Sequence, residues 1–532
     1  MIGRIEKCIG HRRAQNLPGT QGMRRMTKVC YRRPLARPSR ASGLRLTAAA
    51  CLAWAALLAG PRESMAQTAA GGGAQTPSLL TLVTTLTDEN IYQYNALDFA
   101  AARADDAAYA ALLPICAGAS TAKCTGEALL LYHQLRALED NADEYLRRGE
   151  TAYSLRLSPA LLANALQWTA PEEYAAQGSM TTQFANSQAS VLANRFEALH
   201  FAAMAIHLAD NAADDPSAAR WAAVYQAIGG GGSADSASFN WGRLSGFVDS
   251  GFGAGQKNPT VFEDAFNFDS TEVSAGLDYR LTDRLVFGLL AGHSERRVDF
   301  NSQESIVDGQ IRGNGQSATL YLQYEAGSAY VDGSIGQQHL SLHTVRRITY
   351  PSNNPDIPSV NQTAVSDAGA NTTTASIAAG YVFHYRSASL EPYLNSQYQH
   401  TIVGDFVESN SNGFDVNVAP QSILSTELNA GLKLQYAFLP PFGVIVPYVY
   451  GEYHHEFYGD SRTVDSTYAA ASNATSGFAL PTDDFPRHYY VLGAGGSIVL
   501  PHGFQAFAQY LRVLDYANYT DHVFSGGFRW EF

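Results

Sequence analysis

The chain has 532 residues, of which 16% are charged, with 46 Gly, 29 Tyr and 25 Phe; that mix suits tight turns and aromatic girdles better than a cytosolic enzyme. Its charge is split: residues 1–66 hold 13 basic and 2 acidic side chains, the remainder 23 and 47. An acidic body argues against a nucleic-acid partner, because basic patches dominate that affinity, and no later run of 18 apolar residues provides a transmembrane helix.

Residues 1–66 read as a secretory signal. A basic region ends near Arg45, an apolar run follows from Leu46 to Ala59, and Ser64-Met65-Ala66 offers small residues for cleavage between Ala66 and Gln67. The basic region is long, so Met23 and Met26 are alternative starts. The Arg pairs give no twin-Arg signal, and the apolar stretch before Cys51 is too short for a lipoprotein site.

Residues 67–77 form a Gly- and Ala-rich flexible leader. Residues 78–228 are Ala- and Leu-rich with helical spacing, as in Ala128, Leu131, Leu135 and Leu138. Ser158 precedes Pro159 as an N-cap and first-turn proline, which predicts a helix through Leu166. The run TAPEE ending at Glu173 predicts another helix start, with Glu172 and Glu173 as favourable charge at the positive helix end. A long helix is expected from about Met180 to Leu208, with Phe184, Val191, Leu192, Phe196 and Leu199 on its apolar side. Cys116 and Cys124 are the two cysteines left after the signal, and an even pair in an exported chain reads as one disulfide. A metal site is the weaker reading, since only His133 lies near them in sequence.

The Gly run at 229–236 is a linker, and beyond it the hydrophobic period changes from 3.6 to 2. Over 237–532, strands are expected to begin at Trp241, Glu272, Arg284, Gln316, Ala329, Thr373, Ser389, Ser422, Gly443, His488, Phe504 and His522. Ala318, Leu320, Leu322 and Tyr324 would face lipid, while Thr319, Tyr321, Gln323, Asp332 and Ser334 would face a lumen. The last strand puts Phe524, Gly526, Phe528, Trp530 and Phe532 on one face, and Val523, Ser525, Gly527, Arg529 and Glu531 on the other. Short turns alternate with long polar connections at 302–315, 346–370 and 460–486, as between periplasmic and extracellular ends. The expected fold is an all-β transmembrane barrel of about 12 antiparallel strands preceded by a small α-helical domain; a soluble β-sandwich is the runner-up.

Two resemblances sharpen this. Ser525, Gly527, Trp530 and Phe532 fill a pattern that resembles the C-terminal signal read by the barrel-assembly machinery: polar, any, Gly, two of any, hydrophobic, any, aromatic. An ordinary edge strand that happens to end the chain is the bland alternative. The stretch TEVSAGLDYRLTDRLVFGLLAGHS at 271–294 and the stretch VPYVYGEYHHEF at 446–457 resemble an early hairpin and a late strand of the autotransporters, the type V secretion proteins. In the helical part, TLTDE at 85–89, the spaced cysteines, ALQWTAPEEY at 165–174 and RFEAL at 195–199 resemble the segment before such barrels. The resemblance implies a 12-stranded outer-membrane barrel, with a helix between Asn186 and Leu208 threading the pore. It also implies lipid, periplasmic chaperones and the assembly machinery as partners, with the barrel itself monomeric. Many members carry a large β-helical passenger; here only about 160 mostly helical residues precede the barrel, with no short β repeat, so a large adhesin or toxin passenger is not expected. Members that cleave themselves use lumen acids and a linker Asn, for which Asn186 and Asn194 are placed.

Catalytic motifs are missing from the sequence. There is no Gly-x-Ser-x-Gly elbow and no His-Glu-x-x-His. His454 and His455 point to opposite faces of a strand, and His339 and His343 would lie roughly 13 Å apart, so neither pair is expected to hold a metal. No cofactor is expected. Three readings follow: a barrel that inserts in the outer membrane and translocates or anchors its helical domain; a non-secreting pore or structural barrel with the helical segment as plug; and an enzyme with an unrecognised helical site.

Overall fold

The computed structural model describes residues 78–117, 124, 126–149, 151–210, 243–300, 305–385, 387–438, 440, 442–500, 504–516 and 518–531. The signal at 1–66, its cleavage point at Ala66 and Gln67, the leader, the Gly linker and Phe532 lie outside the described residues.

Among the described residues, five α-helices come first: α1 (Ser78–Asp88), α2 (Ala96–Cys116), α3 (Glu127–Leu146), α4 (Pro159–Thr169) and α5 (Ala176–Asp210). Local chemistry sets their ends. Asn95 and Asp98 form a reciprocal capping box at α2, with N–H to side-chain distances of 2.9 and 2.7 Å. Ser158 Oγ accepts from Leu161 N–H at 3.4 Å at the head of α4, and Pro159 fills the first turn, where its missing N–H costs nothing. Arg147, at φ 54°, ends α3 in the left-handed region. Cys116 and Cys124 are disulfide-bonded, with Cα atoms 5.0 Å apart.

Twelve long strands follow: β1 (Leu244–Lys257), β2 (Phe266–Thr282), β3 (Leu285–Phe300), β4 (Gly309–Ala326), β5 (Ala329–Tyr350), β6 (Val360–Tyr381), β7 (Ala388–Val403), β8 (Gln421–Tyr436), β9 (Val444–Glu456), β10 (His488–Leu500), β11 (Phe504–Leu514) and β12 (Tyr519–Glu531). Each pairs antiparallel with its neighbours in sequence, and β1 pairs with β12 from Ser245↔Glu531 to Lys257↔Tyr519, so the sheet closes. Closure leaves no strand edge to aggregate. Short turns and the first residue of β1 gather at one end; the long connections gather at the other, where strands at 406–407, 416–418, 463–468 and 478–481 build a small separate sheet.

Along the lower barrel the usual inside and outside are exchanged. Leu277, Leu289, Leu320, Ile335, Leu432 and Phe528 are exposed, whereas Asp249, Asp278, Gln323, Asp332, Asn429 and Arg529 are buried in the lumen. An apolar exterior around a polar interior rules out the soluble sandwich and fits a barrel surrounded by hydrocarbon. Thr319, Tyr321 and Gln323 face the lumen while Leu320, Leu322 and Tyr324 face out, as the alternation required.

Towards the long-loop end the exchange reverses. Phe266, Phe268, Ile311, Leu340, Leu342, Ile348 and Tyr350 point inward and share one core with Leu79, Leu82, Leu112, Leu131, Leu138 and Leu166 of the helices. Helices α1–α4 thus cover that end. Three strands start six or more residues earlier than the sequence pattern places them: β2 at Phe266, β4 at Gly309 and β6 at Val360. Residues 309–315 of the first expected loop, and 346–350 and 360–370 of the second, are therefore strand. The reason is physical: Arg312, His343 and Asp367 face out there, so the polar–apolar code that identifies a lipid-facing strand is inverted.

Candidate functional site

The lumen and its covered mouth hold most of the buried charge. Helix α5 runs inside the barrel. Its Val191, Leu192, Phe196 and Leu199 pack on Phe247, Val286, Leu290 and Tyr321 of one wall, which accounts for the apolar stripe read from the sequence. Polar groups fix its height and rotation. Arg195 is ion-paired to Asp278, donates to Ser245 Oγ at 2.9 Å, and sits 4.7 Å from the centroid of the Phe247 ring. Tyr321 OH donates to the same Asp278 at 3.0 Å. Gln188 bonds Glu272 and accepts from Ser317 Oγ at 2.6 Å. Asn194 donates to Asp249 at 3.3 Å and to Ser525 at 3.4 Å, and Arg529 donates to the Ala198 carbonyl at 3.2 Å. Farther along, Glu197 pairs with Lys433, and His200 Nε2 lies 3.1 Å from Asp332. A charge inside a barrel needs such partners, because an unpaired buried ion costs several kcal/mol.

The mouth is closed by a second network. Arg346 bonds Glu408 through Nε at 2.8 Å and Nη2 at 2.6 Å, and reaches the carbonyls of Phe414 at 3.1 Å and Thr169 at 3.4 Å. Tyr174 OH donates to Glu408 at 2.6 Å. Tyr468 OH and Thr169 Oγ1 both donate to Asp105, at 2.7 and 3.1 Å. Asn354 donates to the carbonyl of Ser154 at 2.9 Å, and Arg462 to that of Ala175 at 2.7 Å. Gly413, at φ 112°, lets its loop pass against the first turn of α3, where a Cβ would come within 2.8 Å of Glu127 O and Leu131 N.

Two expectations need correction at this junction. Thr169 does not begin a helix: it ends α4, with its hydroxyl on Leu166 O at 2.8 Å, and a short 3-10 turn, Glu172–Ala175, leads into α5. Glu172 and Glu173 do stand in the first turn of that segment, but not as the simple favourable charge expected there. They are buried, and none of their four carboxyl oxygens has a hydrogen-bond partner among the described residues. Burial pushes Glu173 up to about 8 against the pull of the Arg346 charge, and pushes Glu172 well above the ordinary carboxylate range. Burial also raises Asp105 to about 7 despite its two hydroxyl donors.

Other residues singled out from the sequence separate by strand geometry. His454 is buried in the lumen between Glu427 and Glu452, while His455 faces outward beside His488. His339 and His343 lie on the outer surface, bonded to Asn371 at 3.0 Å and Asp367 at 2.9 Å. Ser525, Gly527 and Trp530 lie on β12, with Ser525 turned to the lumen. Asn186 accepts from Gln397 at 3.1 Å. Sequence reasoning missed the pairs Arg346–Glu408, Glu197–Lys433 and Asp105–Tyr468, whose members lie far apart in the chain.

Residues 249–511 match the family described as the autotransporter beta-domain. Among solved structures, the translocator domain of autotransporter NalP from Neisseria meningitidis matches with 14% identity and a TM-score of 0.43, covering 55% of this chain and 89% of that one. The beta domain of the Bordetella autotransporter BrkA matches with 17% identity and a TM-score of 0.38, covering 54% and 99%. The transport unit of the autotransporter AIDA-I from Escherichia coli matches with 10% identity and a TM-score of 0.36, covering 58% and 97%. No curated protein matches the chain.

Proposed function

We propose that the chain, whose residues 249–511 match the autotransporter beta-domain, is an outer-membrane barrel protein that carries its own helical domain to the cell surface and keeps it there as a cap. One observation carries this reading. Helix α5 is continuous with the cap at the long-loop end, and crosses the lumen towards the short-turn end where β1 begins. Long loops belong outside and short turns inside the periplasm in such barrels, so this path supports an outward position for the helical domain. The shared core and the Arg346–Glu408 network favour retention over release.

In this reading residues 1–66 direct export, with cleavage between Ala66 and Gln67. Periplasmic chaperones then deliver a monomeric barrel to the assembly machinery, which reads Ser525, Gly527, Trp530 and Phe532. The barrel performs no catalysis. An epitope inserted at the exposed turn around Ile91 tests the topology. Antibody should bind intact cells; binding only after the outer membrane is permeabilised overturns display.

The lumen contacts of α5 also support a second reading, a non-secreting barrel whose helix is a plug. Protease shaving of intact cells separates the two, because a cap retained on the periplasmic side would be protected.

A further inference from the structure

Helix α5 does not fill the barrel. Its apolar side lies on one wall, and opposite it a cavity of ≈ 310 Å³ opens along the lumen. That volume is in the range of small-molecule sites. The far wall, on β7–β10, is acidic and aromatic.

Three carboxylates there are each steadied by a tyrosine. Tyr330 OH donates to Glu391 at 2.5 Å, Tyr393 OH to Glu452 at 2.6 Å, and Tyr489 OH to Glu427 at 2.7 Å. Each carboxylate has more lone pairs than these bonds use. The bases facing them are Lys433, taken up by Glu197 of α5, His454, held between Glu427 and Glu452, and His200 of α5, paired with Asp332 and stacked on Tyr330. Five carboxylates therefore meet three basic groups on this side.

A polar atom left over beside these carboxylates points the same way. Asn429 Oδ1, on a side chain 4% exposed, lines the cavity with no hydrogen-bond partner among the described residues. It is an acceptor, so a ligand that satisfies it donates. The wall already binds one ammonium in this manner: Lys433 Nζ lies 4.3 Å from the Tyr448 ring centroid while paired to Glu197. Carboxylates flanked by aromatic faces are a setting that favours amine cations over neutral solutes.

We propose that the lumen cavity beside α5 is a binding site for a small organic polyamine cation, held by Glu391 and Glu452 and by the free acceptor of Asn429. The site goes beyond display of the cap and does not depend on which way the cap faces.

Calorimetric titration of the full chain, purified from outer membranes in detergent, tests it. Putrescine and spermidine should each bind one saturable site per chain, and 1,4-butanediol, the neutral counterpart of putrescine, should not bind. E391Q and E452Q should weaken the diamine by about tenfold or more, the effect of losing one charged hydrogen bond. D367N, an exposed change on the outer surface, should leave it unaltered. No saturable amine binding, equal binding of the diol, or unchanged affinity in both glutamine variants overturns the proposal. Displacement of the diamine by potassium at equal concentration overturns its assignment to organic amines. Should the glutamine variants fail to assemble, the comparison of diamine with diol on the unaltered protein decides alone.

Discussion

Arg346 on β5 and Glu408 in the connection after β7 form a two-pronged ion pair, 2.8 and 2.6 Å long, with side chains 1% and 0% exposed. The pair lies where cap, barrel wall and loop meet, since Glu408 also accepts from Tyr174 OH and Val416 N–H. Removing one partner strands the other charge in the core, which costs about 3–5 kcal/mol. R346A is therefore expected to loosen the cap while the barrel stays closed. Limited proteolysis should cut within α1–α4 far faster, with heat-modifiable mobility of the barrel retained. R346M/E408L removes both charges and should recover part of the loss. Equal protease resistance of R346A and the native protein would show that this pair does not hold the cap.

Arg195 plays the corresponding part in the lumen, bound to Asp278 and Ser245 and stacked on Phe247. R195L should leave Asp278 buried with Tyr321, Ser245 and the nearby Arg529 charge as its remaining partners. A penalty of about 3 kcal/mol should free α5 to leave its wall. In planar bilayers the variant is expected to conduct more often than the native chain. R195K, which keeps the charge but not the forked geometry, should fall between them.

Gly288 on β3 faces the Tyr321 ring on β4, and any Cβ there would collide with that ring. G288V should push Tyr321 off Asp278 and Phe196, at about 1–3 kcal/mol of overpacking. The readout is the fraction of barrel that resists unfolding in detergent at room temperature, which should drop. G333V is the control, because a Cβ on Gly333 would meet only a carbonyl oxygen, 3.8 Å away.

The parts of this architecture visible in the sequence are those with a short repeat. Alternation in 318–324 named the lipid-facing and lumen-facing residues of β4 correctly, because the unlike faces differ at every step. The apolar stripe of α5 was equally visible at helical spacing, although the helix starts at Ala176 and not near Met180. Strand ends above the apolar band were misplaced where outward Arg312 and inward Ile311 invert the code. The burial of Glu172 and Glu173 was invisible for a different reason. Two glutamates after a proline look like a solvated first turn, and only the fold brings the cap down over them. The Arg346–Glu408 and Asp105–Tyr468 contacts join residues that no local pattern links.

The cap should be stabilised by mild acid. Burial raises Asp105 from an ordinary carboxylate value to about 7, Glu173 to about 8 and Asp98 to about 6. A carboxyl whose folded pKa lies above its unfolded one binds more protons when folded, so stability falls as pH rises between the two values. The contribution is fully present below about pH 4 and is lost as pH passes through 6 to 8. Thermal unfolding of the cap, followed by near-ultraviolet circular dichroism on the purified protein, should therefore occur at higher temperature at pH 5 than at pH 8.5. D105N keeps an acceptor for Tyr468 and Thr169 but cannot ionise, so it should flatten the slope between pH 6 and pH 8. A cap that melts at the same temperature across that range, in native protein and variant alike, would mean these carboxyls reach solvent in the folded state.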